Sequence, residues 1–118
     1  MPWEVKGTEE FDAWYDELEE PEREDVIAVI DLLKEHGPHL GFPYSSGLTG
    51  SRHTHMRELR IQHAGRPYRV LYAFDPQRVA ILLLGGDKTG DDRWYQRAIP
   101  RADRLYDRHL VELREELN

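Results

Sequence analysis

Apolar and polar positions repeat with two different periods along this chain, and the change of period divides it roughly in half. Near the start, Phe11, Trp14, Tyr15 and Leu18 recur at i, i+3, i+4 and i+7, the stripe of an amphipathic helix. Thr8 followed by Glu9 and Glu10 supplies an N-cap and an acidic first turn. Pro21 restarts the chain at a first-turn position, Val26, Val29, Ile30 and Leu33 repeat the helical spacing, and Gly37-Pro38 ends this second helix. The two helices are expected to run antiparallel, acidic on the outside. Before them Trp3-Glu4-Val5 opens a short strand closed by Gly7. Residues 37–51 hold six Gly/Pro breakers around Phe42, Tyr44 and Leu48, which predicts a loop with a few apolar anchors.

Beyond that loop the period becomes 2. Met56–Gln62, Pro67–Asp75 and Arg78–Gly85 read as three strands joined by tight turns at Ala64-Gly65 and Asp75–Arg78. The third, rich in Ile and Leu on both faces, is expected to be central. A helical stretch near Trp94–Ala98 follows. Pro100 then suits the first position of a final amphipathic helix carrying Ala102, Leu105, Tyr106, His109, Leu110 and Leu113. The expected fold class is α+β: an N-terminal strand and two-helix hairpin packed on a mainly antiparallel sheet, with a C-terminal helix.

Length and composition narrow the picture. The chain has 118 residues, enough for one domain (1–118) with a core of its own. It has no cysteine, which removes disulfide scaffolds, thiolate zinc sites, iron–sulfur clusters and cysteine nucleophiles together. The first residues show neither a basic nor an apolar leader segment, and no apolar run approaches the ~20 residues of a membrane span, so a soluble cytoplasmic protein with no membrane contact is expected. The net charge of −7 conceals a division: residues 1–50 carry three basic against 13 acidic side chains, whereas residues 51–90 carry seven against three. The acidic half reads as solvated helix faces, and the basic stretch as a surface that meets an anion.

Strand register places those cations. A two-residue turn at Ala64-Gly65 sets Arg60 directly opposite Arg69. A turn at Pro76-Gln77 sets Arg69 opposite Leu84, and side-chain alternation then brings Lys88 to the Arg69 side. The opposite face would carry Tyr68, Val70, Tyr72, Phe74, Val79, Ile81 and Leu83 as the core side, leaving the arginine face the wetter one. Arginines facing each other across two strands repel unless an anion lies between them. That anion is either Glu58, which shares the face by parity, or a phosphate, whose oxygens suit the guanidinium fork.

Other motifs carry less. Gly85–Gly90 has Asp87 where a P-loop needs glycine before its lysine, and Leu82 where it needs the earlier glycine. His53-x-His55, with His63 nearby, lacks a carboxylate at metal-ligand spacing, so no metal and no cofactor are expected. Ser45, Ser46 and Ser51 have no base or elbow context. Trp94-Tyr95 reads equally as a stacking platform for RNA or as helix core.

Glu58-Leu59-Arg60, then Gly65 and Tyr68-Arg69-Val70-Leu71-Tyr72-Ala73-Phe74-Asp75, then Ile81-Leu82-Leu83-Leu84-Gly85-Gly86-Asp87-Lys88 together resemble the HigB-like, phage-derived branch of the RelE/ParE toxins. The Trp3–Phe11–Trp14–Leu18 opening and the Ala98–Ala102–Tyr106 helix extend the resemblance over nearly the whole chain. It implies a RelE-like toxin of a type II toxin–antitoxin pair, partnered by a cognate helix-turn-helix antitoxin. Nuclease members of this superfamily enter the ribosomal A site and cut mRNA without metal. Carried over residue by residue, Arg69 matches the family's strand arginine and Lys88 its strand-end basic residue. Arg60 lies across from Arg69 as a second donor, and Tyr95, or Trp94, approximates the aromatic that stacks on a base or assists proton transfer; these carry catalysis. His55 and His63, the nearest side chains able to titrate near neutrality, are expected RNA contacts with Arg57, Arg66 and Trp94. A second branch of the superfamily acts on DNA gyrase by binding alone, and a small non-catalytic binding module is a third reading.

Overall fold

The structure is a computed structural model that describes residues 2–118. The order is β1 (Val5–Gly7), α1 (Glu9–Glu17), α2 (Glu20–His36), a 3-10 turn (Gly37–His39), β2 (Ser45–Gly47), β3 (Arg57–His63), β4 (Arg66–Phe74), β5 (Ala80–Asp87) and α3 (Trp94–Leu117). The five strands form one sheet in the order β1-β5-β4-β3-β2, antiparallel except where β1 runs parallel to β5. This is the α+β arrangement expected from the periods.

Helix starts follow their caps. The Thr8 hydroxyl accepts the Phe11 N–H at 3.0 Å and donates to the Leu83 carbonyl at 2.6 Å, so one side chain both caps α1 and ties it to β5. The Glu19 N–H donates to the Glu22 side chain at 2.8 Å in a capping box, with Pro21 in the first turn of α2. α2 stops at Gly37, whose φ of 57° is the left-handed conformation glycine adopts without penalty. α3 differs from expectation: it runs through Pro100 as one helix from Trp94. Pro100 removes one i→i−4 bond, and the burial of Ala98, Ile99, Ala102 and Leu105 against the sheet holds the helix across that gap.

Both faces of the sheet are covered. α1 and α2 bury Phe11, Val26, Val29, Ile30 and Leu33 on Leu59, Ile61, Tyr68, Val70, Tyr72, Ala80 and Leu82. α3 buries Ala98, Ile99, Ala102, Leu105 and Tyr106 on Leu71, Ala73, Val79, Ile81, Leu83 and Leu84. Val79, Ile81 and Leu83 therefore lie on the side opposite to the one expected. The cause is the second turn. Asp75 Oδ1 accepts the N–H groups of Gln77 and Val79 at 2.9 and 3.0 Å, and Arg78 takes a φ of 66°, giving a three-residue loop. The odd loop shifts the pairing to Phe74 opposite Ala80 and flips the near end of β5. A β-bulge between Leu71 and Tyr72 then adds a second shift, so Arg69 pairs with Gly86 rather than Leu84. Two shifts restore the original parity at the far end of the sheet. The side shared by Arg69 and Lys88 survives, although the register that predicted it does not.

Two further expectations change. The breaker-rich loop contains a strand, β2, paired on β3 from Ser45 opposite Leu59 to Gly47 opposite Arg57. Its anchor is polar: the buried Ser45 hydroxyl lies 2.6 Å from the Tyr72 hydroxyl. Phe42, expected to hold the loop inward, is 75% exposed.

Candidate functional site

The turn at Ala64-Gly65 has positive φ at both residues (50° and 77°), the two-residue form that matches strand twist, and it sets Arg60 opposite Arg69 as the sequence required. Glu58, two residues before Arg60, projects from the same face. Its carboxylate is buried and takes four partners. Ser46 Oγ donates at 2.7 Å and Arg60 Nη1 at 3.2 Å to Oε2, the Tyr95 hydroxyl donates at 2.5 Å to Oε1, and Arg69 Nε stands 3.6 Å from Oε1. Glu58 is thus the internal anion between the two arginines.

Arg69 is not on a wet face. It is 5% exposed, because the first turn of α3 lies over this end of the sheet. Its Nε donates to the Tyr95 hydroxyl at 3.3 Å and its Nη1 to the Tyr68 carbonyl at 2.9 Å, which fixes the plane of the fork. Lys88 approaches from the end of β5, its ammonium 5.6 Å from the centre of the Tyr95 ring. Arg60 keeps 30% of its side chain exposed. Arg60, Arg69 and Tyr95 therefore meet on Glu58, and Lys88 reaches the cluster through the Tyr95 ring, with Arg69 behind and Arg60 and Lys88 toward solvent. Burial, then the Glu58 hydrogen bond, raises the Tyr95 pKa above its usual 10, so this hydroxyl keeps its proton through the neutral range.

Adjacent glycines let the indoles close. A Cβ on Gly86 would stand 2.6 Å from the Trp94 ring, and one on Gly85 would stand 2.4 Å from Trp14 on the other side of the sheet. Trp94 packs over Gly86 at the edge of the core and stays partly exposed.

The remaining expected RNA contacts do not join this cluster. Arg57, His63 and Arg66 project from the α1/α2 side. Arg57 Nε donates to Ser45 Oγ at 3.1 Å, His63 Nδ1 lies 2.6 Å from Asp25 Oδ2, and Arg66 stacks 5.3 Å over Tyr68 between Glu22 and Asp87. There the Tyr68 hydroxyl donates to Glu22; burial first and this bond second push the Tyr68 pKa up to about 12, while the bond holds the Glu22 carboxyl below its usual value. His55 lies 3.2 Å from the Tyr106 hydroxyl, which itself donates to the Phe74 carbonyl. Phe74 is five residues along β4 from Arg69, roughly 17 Å at the rise of a strand. Parity errors do not explain His55; the docking of its loop on α3 does, through Asp103, which accepts from Ser51 Oγ and the Arg52 N–H at 2.5 and 3.1 Å.

Two residues went unread as site components. Ser46 completes the Glu58 cage, and only the unexpected β2 pairing brings it there. Phe42 lies under Arg60, whose guanidinium carbon is 5.1 Å from the ring centre. A large aromatic between Gly41 and Pro43 was the available signal, since neither neighbour lets it settle into a helix or strand core. Among the described residues no group of three or more His, Asp or Glu is arranged to hold a metal ion, and no helix is long and apolar enough to cross a membrane.

Residues 13–107 match the family model of phage-derived Gp49-like proteins. Two curated relatives from Mycobacterium tuberculosis bear toxin names. HigB2 is 41% identical over 91% of this chain, and HigB3 is 45% identical over 86%. The chain spans 54% of the length of HigB2 and 89% of HigB3. In structure it is similar to a mutant of the E. coli toxin RelE in the free state, with a TM-score of 0.60, 18% identity, and coverage of 86% of this chain and 98% of that one. It is also similar to a chain of the archaeal RelE–RelB complex from Pyrococcus horikoshii, with a TM-score of 0.54, 19% identity, and coverage of 75% of this chain and 97% of that one. At these identities the solved structures speak to the fold.

Proposed function

The chain belongs to the phage-derived Gp49-like family, and on that footing we propose that it is the toxin of a type II toxin–antitoxin pair, a ribosome-dependent mRNA endoribonuclease held in check by a cognate helix-turn-helix antitoxin in the cytoplasm. The observation that carries this reading is the meeting of Arg60, Arg69 and Tyr95 on one carboxylate, with Lys88 against the Tyr95 ring: two arginines share a single internal anion and the lysine stands beside them.

The reaction is attack of a ribose 2′-hydroxyl on the adjacent phosphodiester: its proton passes to water as the O2′–P bond forms, the P–O5′ bond breaks to leave a 2′,3′-cyclic phosphate, and the departing 5′-oxygen takes up a proton. Charge grows on the phosphoryl oxygens, and fixed donors that meet it there lower the barrier without reorganising. Arg60 and Lys88, facing solvent, receive the phosphate, and Arg69 behind them supplies the preoriented fork. The Tyr95 hydroxyl, kept protonated by its surroundings, stands beside Arg69 as a proton donor for the departing oxygen. Apart from that water, every group named is a side chain of this chain, and the reaction as written needs no metal.

The test is cleavage of mRNA on programmed ribosomes. Arg69→Ala is expected to cut ~100- to 1,000-fold more slowly, the usual cost of one preorganised donor. Arg69→Lys should rescue poorly because it loses the planar grip. Cleavage by the parent should persist when EDTA is added with ribosome-sustaining magnesium restored. Unimpaired cleavage by Arg69→Ala would overturn the mechanism. A second reading, inhibition of DNA gyrase by binding alone, draws support from Glu58, which already occupies Arg69, and from the net charge of −7. Growth arrest with a DNA-damage response and intact mRNA would favour it.

A further inference from the structure

We propose that Phe42 and Arg60 form a nucleobase-stacking subsite beside the phosphate cluster, which holds a base of the RNA flanking the cleaved bond; this rests on the nuclease reading above. Phe42 is 75% exposed, the most open large apolar side chain of the described residues. It is nonetheless held. Leu40 before it and Ser45 after it are buried, and the N–H groups of Tyr44 and Ser45 both donate to the Gly41 carbonyl at 3.1 Å. The Tyr44 carbonyl accepts the Arg60 N–H at 2.8 Å, which ties the Phe42 loop to the arginine's own backbone.

One face of the ring is taken by the Arg60 guanidinium at 5.1 Å; the exposure shows that the ring otherwise remains open to solvent. Arg60 in turn reaches Glu58 at 3.2 Å, so the guanidinium under Phe42 is one of the three cations of the cluster. A phosphate received there has its nucleotide's base within reach of the ring, and a planar aromatic backed by a cation suits a base of any identity. Two aromatics at the cluster are engaged: Trp94 closes over Gly86, and Tyr95 has its ring under Lys88 and its hydroxyl on Glu58. Tyr44, 45% exposed, is the other open aromatic beside Arg60, and Phe42 is the more open of the two and the one whose ring the guanidinium covers.

The experiment is a side-chain-against-base cycle on programmed ribosomes. The parent and Phe42→Ala are each given intact mRNA and mRNAs with a single abasic nucleotide at successive positions around the cut. For the parent, one abasic position is expected to slow cleavage about 5- to 100-fold, the range set by base–aromatic stacking. Phe42→Ala should be slowed by a similar factor on intact mRNA and be indifferent to that same abasic position, while Phe42→Trp keeps the parent's behaviour. An exposed ring leaves the fold intact when removed, which unchanged thermal unfolding will verify. Equal losses on intact and abasic mRNA, or no loss with Phe42→Ala, would overturn the subsite while leaving cleavage by Arg69 untouched. Phe42→Ala that cuts normally but releases its antitoxin would assign the ring to the protein partner, and the base reading falls. A parent that cuts no mRNA removes the premise and the subsite together.

Discussion

The two ends of β4 each meet α3 through a partly buried polar network, yet they are built on opposite electrostatic terms. At the turn end cations and histidines meet carboxylates in kind: His109 lies 2.8 Å from Asp75, and His53 lies 2.8 Å from Asp107, which also takes Arg52. At the other end Arg60 and Arg69 share Glu58, and Lys88 stands over the Tyr95 ring beside them. Matched pairs satisfy their own hydrogen bonds and fasten a loop to a helix. An unmatched set of cations leaves positive potential directed outward, which is what an anionic ligand requires. The site proposed above lies where charges fail to cancel, at the opposite end of the strand from the cavity lined by Asp75, Arg108 and His109.

Removing the shared anion should break this contrast most severely. Glu58→Ala leaves a buried arginine facing another arginine with nothing between them, and a loss of about 3 kcal/mol is expected in chemical denaturation. Glu58→Gln, which keeps the shape and an acceptor for Ser46 or Tyr95, should lose distinctly less.

At the matched end the effect should be smaller and confined to stability. Asp75→Asn loses one of the acceptors that bind Gln77, Val79 and His109, worth about 1–2 kcal/mol. Its cleavage rate on programmed ribosomes should equal the parent's. A fall in rate would show that the two ends are coupled and the contrast mistaken.

The smallest effect concerns pH. Hydrogen bonds from Arg108 hold the Glu10 carboxyl at about 2, below its ordinary value of 4.5. A carboxyl lowered in this way stabilises the fold fully above 4.5 and ceases to do so as the pH falls toward 2. Glu10→Gln should therefore flatten the acid limb of stability measured between pH 5 and 2.5, while the lowered Glu22 leaves a remainder. Cleavage near neutrality should not respond to either residue.

These features were unequally legible in the sequence. The first hairpin could be read because Ala64-Gly65 allows a two-residue turn, and turn length alone then sets Arg60 opposite Arg69. The second could not, because Asp75 substitutes a side-chain oxygen for backbone acceptors and Arg78 enters a left-handed conformation that nothing in its type advertises. Lys88 reached the expected side only because the bulge at Leu71/Tyr72 undid the slip at that turn. The burial of Arg69 comes from the first turn of α3 packing over this end of the sheet, a tertiary contact that the local periodicity does not report. Arg57, His63 and Arg66 lie close to Arg60 and Arg69 in sequence, and strand alternation turns them to the other face. β2 escaped notice because its pairing is held by a serine and a tyrosine hydroxyl within a glycine-rich segment.

The parallel pairing of β1 with β5 sets an order in time. The Thr8 hydroxyl finds its acceptor on Leu83, 75 residues later, and the Ala80 N–H finds Glu4. At a synthesis rate of roughly 5–20 residues per second, the first strand waits about 4–15 s for its neighbour to be made. Contacts this distant along the chain are also the slow ones to form, because loop closure precedes any gain. Tyr95 emerges later still. A nascent chain released before that point carries Arg60 and Arg69 but neither the helix that buries one of them nor the hydroxyl that orients it, so an interrupted translation product is born without the assembled site.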